Sequence, residues 1–210
     1  MVVLHHTAMT SAEAALARLC DPRAEVSAHY LIGERGHVWQ MVAEPRRAWH
    51  AGTGRWGAVR DVNSASIGVE LANCGDHPFP EPQMRALEAL LAAVMDRWRI
   101  RPERVIAHSD MAPTRKSDPG ARFDWRRLAR VGLSVWPDGA PGAVAPPDVA
   151  RFRALASRIG YDPDAPDMAV LAALRLRFRP WGCGPLTAAD MGVAADLARR
   201  FPVDRGDTPA

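Results

Sequence analysis

The 210-residue sequence lacks most of the features that mark specialised classes of protein. It has only three cysteines, Cys20, Cys74 and Cys183, and no CxxC spacing, which argues against a disulfide framework and favours a reducing compartment. No stretch approaches about 18 uncharged apolar residues, so we expect no membrane-spanning helix. No HExxH sequence occurs, which excludes a zinc site of that helical type.

A recognisable signal peptide is also missing, because the chain begins directly with an apolar, strand-like segment. We therefore predict a cytoplasmic protein, or a periplasmic one if an export signal precedes this chain. The charge imbalance is small: 27 basic residues, nearly all arginine, and 24 acidic residues give a net charge of +3. This predicts a mild preference for anionic partners and no nucleic-acid binding, and we expect a monomer.

What the sequence does contain is the composition of an ordinary globular protein, 48% hydrophobic and 24% charged. A Pro-rich stretch over residues 137–148 predicts a linker between residues 1–136 and 149–203. The second part is long enough for a small three-helix domain. Its predicted helices are Val149–Ile159, Met168–Arg177 and Thr187–Arg200.

The stretch Val105–Gly120 carries the strongest chemical signal. An apolar, β-branched run ends in His108, and Lys116 and Asp118 follow 8 and 10 residues later. These offsets are too long for one helical face and suit a loop that doubles back. Imidazole and carboxylate are both zinc ligands. The stretch therefore predicts half of a metal site at the end of a strand.

A further ligand is available at the N-terminus, where an apolar strand ends in His5 and His6. Successive side chains on a strand point to opposite faces, so only one of the two can reach the metal. Spacing alone leaves that choice open. Three protein ligands would leave the fourth tetrahedral position free for water, as in catalytic zinc sites.

Five fragments, in this order, carry a resemblance to a known family: LHHTA, SAHYLI, AWHAG, SIGVEL and AHSDMAPTRKSDPG. They resemble the zinc-dependent N-acetylmuramoyl-L-alanine amidases, which are related to phage-lysozyme-type amidases and peptidoglycan recognition proteins. The resemblance covers roughly residues 1–137. It implies an α/β fold with a mixed central sheet flanked by helices, and it selects His5, His108 and Asp118 as the zinc ligands.

The resemblance also implies catalytic roles for Glu70 and Lys116. Glu70 lies in the strand-like SIGVELAN segment, where an unpaired carboxylate is costly unless a partner or a metal is near. Gly68 removes a side chain beside it and leaves room for another group. We expect Glu70 to act as general base and Lys116 to stabilise an oxyanion, the alternatives being an edge-strand charge and an ordinary surface lysine.

Residues 43–65 form a long segment without periodicity, which is commonly functional in a compact domain. Trp49 and Trp56 could stack on a substrate or pin the loop to the core, and both readings stay open. The resemblance favours an active-site role for His50 and substrate contacts for Asn63 and Arg115. We therefore predict a substrate-binding set of Trp49, His50, Asn63 and Arg115.

The remaining periodicity predicts scaffold. The capping-box pattern Thr10-Ser11-Ala12-Glu13 indicates a helix that starts at Thr10 and runs to about Cys20, and Val26–Ile32 with His37–Val42 indicates a hairpin. A helix is predicted over Glu81–Arg99, with Trp98 in its apolar core stripe, and a short one over Phe123–Arg130. His29, inside the first hairpin strand, is expected to be a hydrogen-bonded histidine and not a ligand.

By resemblance, the reaction is hydrolysis of the amide bond between the lactyl group of N-acetylmuramic acid and L-alanine, in cell-wall turnover or muropeptide recycling. The alternatives are a non-catalytic peptidoglycan-recognition module and a structural zinc protein. The presence of all three ligands with Glu70 and Lys116 favours the enzyme. The C-terminal segment resembles a degenerate peptidoglycan-binding domain, so it either binds cell wall or simply packs on the catalytic part.

Overall fold

The computed structural model describes residues 1–138 and 146–204. A five-stranded sheet lies at its centre, with strand order β3-β2-β4-β1-β5; only β3 runs antiparallel to its neighbour. The sheet is therefore mixed, as predicted. Its strands are β1 (Val2–His6), β2 (Tyr30–Ile32), β3 (Val38–Gln40), β4 (Ile67–Leu71) and β5 (Val105–Ala107).

Seven α-helices accompany the sheet in the described ranges. They are α1 (Ala12–Cys20), α2 (Glu81–Trp98), α3 (His108–Met111), α4 (Trp125–Arg130), α5 (Val149–Ile159), α6 (Asp167–Phe178) and α7 (Ala188–Arg200). None of the helices in these ranges is long and apolar enough to cross a membrane.

The strands bury both faces of the sheet, because their side chains alternate between two hydrophobic cores. Val2 and Leu4 of β1 face a core that includes apolar side chains of α2 and α4. Val3 faces a second core, which α5, α6 and α7 share. The C-terminal helices thus pack directly on the sheet, whereas residues 139–145 of the predicted linker lie outside the described residues.

Parallel register brings the predicted site residues together. His5 on β1 is paired with Glu70 on β4, and Leu4 is paired with Ala107 on β5, so His108 follows beside His5. The carboxyl ends of these three strands meet at one edge, where ligands commonly bind in sheets with parallel strands. Residues far apart in sequence therefore share one rim.

Two predicted starts shift for identifiable reasons. The cap of α1 is Ser11, not Thr10, because the Ser11 hydroxyl accepts a hydrogen bond from the Ala14 N–H at 3.2 Å. The hairpin is confirmed, but β2 begins at Tyr30 instead of Val26, since the N–H of Ser27 donates to the Trp49 carbonyl at 3.1 Å and not to β3.

Two further predictions need correction. His108 does not end the strand; it starts the one-turn helix α3, because the Asp110 carboxylate accepts from the Ala107 N–H at 2.9 Å. Trp98, assigned by periodicity to the core stripe of the long helix, is 47% exposed. Its indole N–H donates instead to the Glu44 carboxylate at 2.6 Å.

Candidate active site

A cavity of about 650 Å³ opens at the carboxyl ends of β1, β4 and β5. Its wall includes eight of the nine residues singled out from the sequence, Asn63 being the exception. Those eight are His5, Trp49, His50, Glu70, His108, Arg115, Lys116 and Asp118. The fold therefore gathers the predicted metal-binding, catalytic and substrate-binding side chains at one site.

Three potential metal-ligand atoms converge in this cavity. His5 Nδ1 lies 2.9 Å from His108 Nδ1 and 3.1 Å from Asp118 Oδ2, and the last two atoms are 3.0 Å apart. Among the described residues, these three side chains form the group that could hold a metal ion. All three are buried. The loop between the last two ligands doubles back, with the Ser109 N–H donating to the Asp118 carbonyl at 3.0 Å.

The tautomer of His108 follows from its other ring nitrogen. Nε2 lies 2.9 Å from the carbonyl oxygen of Ala51, which can only accept a hydrogen bond. Nε2 must therefore carry the proton, and Nδ1 presents a lone pair to the cavity. A carbonyl partner of this kind is a common way to orient a metal-binding histidine.

The tautomer of His5 follows from a longer chain of hydrogen bonds. The Ser66 hydroxyl donates to the Val62 carbonyl, so Ser66 Oγ must accept from His50 Nε2 at 3.3 Å. His50 Nδ1 then has the lone pair and accepts from His5 Nε2 at 3.0 Å. His5 Nδ1 is consequently left without a proton and faces the other two ligand atoms.

The electrostatics also keep these groups in ligand form. Burial, with a smaller effect of His108, lowers the pKa of His5 to about 4, so its imidazole is neutral near pH 7. Burial alone would raise the pKa of Asp118, but the neighbouring side chains of His108 and His5 hold it well below its usual range. Two lone pairs and a carboxylate thus face one another within about 3 Å, an arrangement that a divalent cation would stabilise.

This donor set fits zinc. Imidazole nitrogen and carboxylate oxygen bind Zn²⁺ at about 2.0–2.2 Å, and three protein ligands leave a tetrahedral position open. The cavity beside the three atoms provides the space for that open position. His6, the alternative to His5, does not join the cluster; its Nδ1 accepts from the Ala8 N–H at 3.1 Å.

Glu70 lies beside the cluster without being part of it. Its Oε2 atom is buried and has no hydrogen-bond partner within the described residues. Burial, and to a lesser degree the charge of Asp118, raises the pKa of Glu70 to about 8. A carboxyl group with a pKa near neutrality, close to an open metal position, is suited to proton transfer.

Arg115 and Lys116 also line the cavity, on the loop that leads to Asp118. Arg115 donates to the carbonyl oxygens of Ala51 at 2.6 Å and Thr53 at 2.5 Å. These contacts tie this loop to the long segment of residues 43–65, called the 50s loop below. Lys116 is exposed at the cavity rim and is the single lysine of the chain. Its ammonium group can reach a negative charge that develops inside.

The structure separates the two tryptophans. Trp49 is 57% exposed on the cavity wall, with the Arg47 guanidinium 4.3 Å from its ring centroid. Trp56 is 1% exposed and packs edge-on against Tyr161 at 5.1 Å. A Cβ at Gly160 would lie 2.4 Å from the Trp56 ring, so that close packing requires glycine. Trp49 is placed to meet a ligand, and Trp56 pins the loop.

Asn63 does not take the predicted place in the substrate cavity. It is buried, and its Oδ1 accepts from the N–H groups of His50 at 3.1 Å and Ala51 at 2.8 Å. Asn63 therefore holds the backbone that carries His50 and the Ala51 carbonyl. The substrate-contact prediction for Asn63 stays a prediction, because the structure shows only that its Oδ1 is used by the loop.

His50 lines the cavity, as predicted, and its ring also packs against the backbone of Gly68. A Cβ at Gly68 would lie 2.3 Å from the His50 ring, so the space left by that glycine is filled by this imidazole. His29 is a hydrogen-bonded histidine, as predicted: Nδ1 accepts from the Gly68 N–H at 3.0 Å, and Nε2 donates to the Arg46 carbonyl at 2.9 Å.

Sequence reasoning missed Ser66 and Asp110. Ser66 ends the chain of hydrogen bonds that fixes the His5 tautomer. Asp110, in the HSD segment, caps the turn that carries His108. The S-D pair after His108 is a helix-start signal and could have indicated the turn. No sequence signal marked Ser66, because the histidine that it contacts, His50, lies 16 residues earlier in the chain.

The model of the family described as N-acetylmuramoyl-L-alanine amidase matches residues 1–121, more than half of the chain. The chain belongs to this amidase family. The amidase is 37% identical to N-acetylmuramoyl-L-alanine amidase AmiD of Escherichia coli K12, over 97% of this chain and 84% of the relative.

Solved structures agree with the sequence comparison. The amidase matches the structure of E. coli AmiD in complex with the substrate anhydro-N-acetylmuramic acid-L-Ala-D-gamma-Glu-L-Lys, with a TM-score of 0.88, 34% identity, and coverage of 96% of this chain and 89% of that one. It also matches AmpDh3 of Pseudomonas aeruginosa in complex with anhydromuramic pentapeptide, with a TM-score of 0.86, 29% identity and coverage of 96% and 92%. Both matches extend over the C-terminal helices.

Proposed function

We propose that the protein hydrolyses the amide bond between the lactyl group of N-acetylmuramic acid and L-alanine, with a zinc ion held by His5, His108 and Asp118. The convergence of three unprotonated ligand atoms within 2.9–3.1 Å of one another is the observation that carries this proposal. Bound zinc would act as a Lewis acid and activate water near neutral pH.

Three protein side chains take the roles of proton transfer, charge stabilisation and loop positioning. Glu70, with its unpartnered Oε2, takes the proton from the attacking water and delivers it to the leaving amine. Lys116 stabilises the negative charge on the carbonyl oxygen of the tetrahedral intermediate. Arg115 holds the loop that carries Lys116 and Asp118 against the 50s loop, through its hydrogen bonds to two carbonyl groups of that loop.

The substrate class we infer is the muropeptide, including its anhydro form. The complexes of E. coli AmiD and P. aeruginosa AmpDh3 named above contain anhydromuramyl peptides, and this chain matches both over more than nine-tenths of its length. The exposed face of Trp49, on the wall of a cavity of about 650 Å³, offers a stacking surface to a sugar ring. The process served is cell-wall turnover or muropeptide recycling.

Peptide release from anhydromuropeptide and from intact peptidoglycan tests the proposal. Purified protein is assayed as prepared, after chelation, and after zinc is added back. Release that disappears on chelation and returns with zinc is expected. Release that persists in fully chelated protein would contradict the metal proposal.

A Glu70→Gln variant completes this test, because it keeps the size of the side chain and removes its basicity. It is expected to bind zinc like the parent and to lose turnover by about 10²–10⁴-fold, the range of general acid–base catalysis. Hydrolysis at the parental rate would remove Glu70 from the reaction.

We retain the cytoplasm as the proposed compartment. Cys20, Cys74 and Cys183 are all unpaired and exposed, which suits a reducing environment. Fractionation of cells that express the full gene product would test it. Recovery from the periplasm or a membrane fraction would overturn it.

A further inference from the structure

A buried carboxylate that the reaction does not use lies two residues beyond the metal ligand His108. Asp110 has no exposed surface, and its Oδ2 accepts from the Ala107 N–H at 2.9 Å, at the entry to α3. The same carboxylate therefore fixes the backbone from which the His108 side chain projects. A fully buried carboxylate needs further partners.

Those partners come from the C-terminal helices. Arg177 of α6 forms an ion pair with Asp110 Oδ2 at 2.6 Å, and the Tyr161 hydroxyl donates to Asp110 Oδ1 at 2.8 Å. Both side chains are buried, at 3% and 1% exposure. Arg177 thus neutralises the charge of Asp110, which lies close to His108, although Arg177 comes 67 residues further along the chain.

Arg177 also contacts the start of the strand that leads to His108. Besides Asp110, its guanidinium donates to the carbonyl of Val105, the first residue of β5, at 2.8 Å. The guanidinium carbon lies 4.3 Å from the Trp125 ring and 4.9 Å from the Phe178 ring. These contacts hold the guanidinium in one position. Because Arg177 belongs to α6, they also fix the positions of β5 and α3 relative to that helix.

We propose that the C-terminal helices are a structural part of the metal site, with Arg177 and Tyr161 as positioning residues for His108. The inference rests on the proposed function, because it assumes that His108 binds the metal. It assigns the helices a task beyond packing and independent of any binding to cell wall.

The physical reason is local. Without Arg177, the Asp110 carboxylate would remain buried with its main counter-charge removed. The turn would then relax toward water or bind a different donor, and His108 Nδ1 would leave its place 3.0 Å from Asp118 Oδ2. Loss of an outer partner of a metal ligand typically weakens metal binding by about 10–100-fold.

The same helix offers a matched control. Arg175, two residues before Arg177 on α6, forms an equally buried ion pair with Asp190 at 2.6 Å. Its other contacts are with the carbonyls of Gly184 and Pro185, all within the C-terminal segment. Removing Arg175 therefore perturbs the helical unit without touching the turn of His108, and Asp190 keeps Arg179 as a second partner.

The experiment measures the zinc dissociation constant of full-length protein by competition with a chromophoric chelator. Parent, Arg177→Met and Arg175→Met are compared at a temperature where circular dichroism shows each to be folded. We expect the dissociation constant to rise by about 10–100-fold in Arg177→Met and to stay within about twofold in Arg175→Met.

Two further variants keep the test decisive if Arg177→Met fails to fold. Tyr161→Phe removes only the hydroxyl that donates to Asp110 and should weaken zinc binding by a smaller factor. Combining Asp110→Asn with Arg177→Met removes both charges and should recover part of the lost affinity. Parental zinc affinity in folded Arg177→Met, or in Tyr161→Phe if Arg177→Met does not fold, would overturn the inference. A parent that binds no zinc would overturn the proposed function as well.

Discussion

His5 Nε2 donates to His50 Nδ1 across 3.0 Å, and His50 is itself held by Ser66 and by the backbone contacts of Asn63. His50 thus orients His5, a proposed metal ligand, in addition to lining the cavity. Burial, followed by the neighbouring histidines His5 and His29, lowers its pKa well below the usual value. A neutral His50 with its proton on Nε2 is the form that the hydrogen-bond chain requires.

Replacing His50 with alanine is expected to weaken zinc binding by about 10–100-fold, because the His5 tautomer is no longer fixed. Chelator competition measures the change. His37→Ala is the control, since His37 is exposed and outside the cavity. Equal zinc affinity in both variants would show that His50 does not act through His5.

His5 and His6, neighbours on β1, test which face of this strand points to the proposed metal site. His5→Ala removes a predicted ligand and should abolish tight zinc binding and peptide release. His6→Ala should retain zinc, because its Nδ1 serves the Ala8 N–H and lies outside the ligand cluster. Metal content after dialysis distinguishes them, and the reverse pattern would mean that β1 presents its other face.

Glu70 predicts a pH dependence of stability in the metal-free protein. Its pKa rises from 4.5 to about 8 on folding, so between these values the unfolded chain loses a proton that the folded chain keeps. Stability must therefore fall as pH increases through that window, by up to about 1.4 kcal/mol per pH unit.

Urea unfolding of chelated parent and Glu70→Gln between pH 5 and pH 8 measures this effect, since about this window separates the two pKa values. The variant cannot ionise at this position, so its advantage over the parent should be small at the lower end and largest at the upper end. A constant difference across the range would contradict the raised pKa.

Lys116 should contribute to turnover without contributing to metal binding. Lys116→Met is expected to lower kcat by about 10²–10³-fold, as loss of an oxyanion donor does, with zinc affinity unchanged. Lys116→Arg keeps the charge and should retain part of the activity. A variant that loses zinc, or that keeps full kcat, would exclude this role.

The two tryptophans of the 50s loop should give opposite phenotypes. Trp49→Ala removes an exposed cavity wall and should raise KM for muropeptides while leaving the melting temperature close to that of the parent. Trp56→Ala removes a buried side chain and should lower the free energy of unfolding by about 3–5 kcal/mol. Steady-state kinetics and thermal unfolding separate the two effects. If both variants changed KM and stability in the same way, the two tryptophans would not have different roles.

The local patterns predicted much of this protein correctly. The alternation around Glu70, the helix over Glu81–Trp98, the three C-terminal helices and the hairpin all follow from periodicity and turn residues, which depend on neighbours along the chain. The convergence of His5, His108 and Asp118 was also expected, although it rested on the order of five family-like fragments and not on spacing alone.

Tertiary structure alone decided the rest. Nothing near Asn63 in sequence shows that it serves the backbone of His50, and nothing near Arg177 shows that it neutralises Asp110. The burial of Trp56 depended on where α5 and its following turn came to rest. Sequence determines which groups a segment can offer, while the partner of a buried polar group is chosen by packing between distant segments, because only there is water excluded.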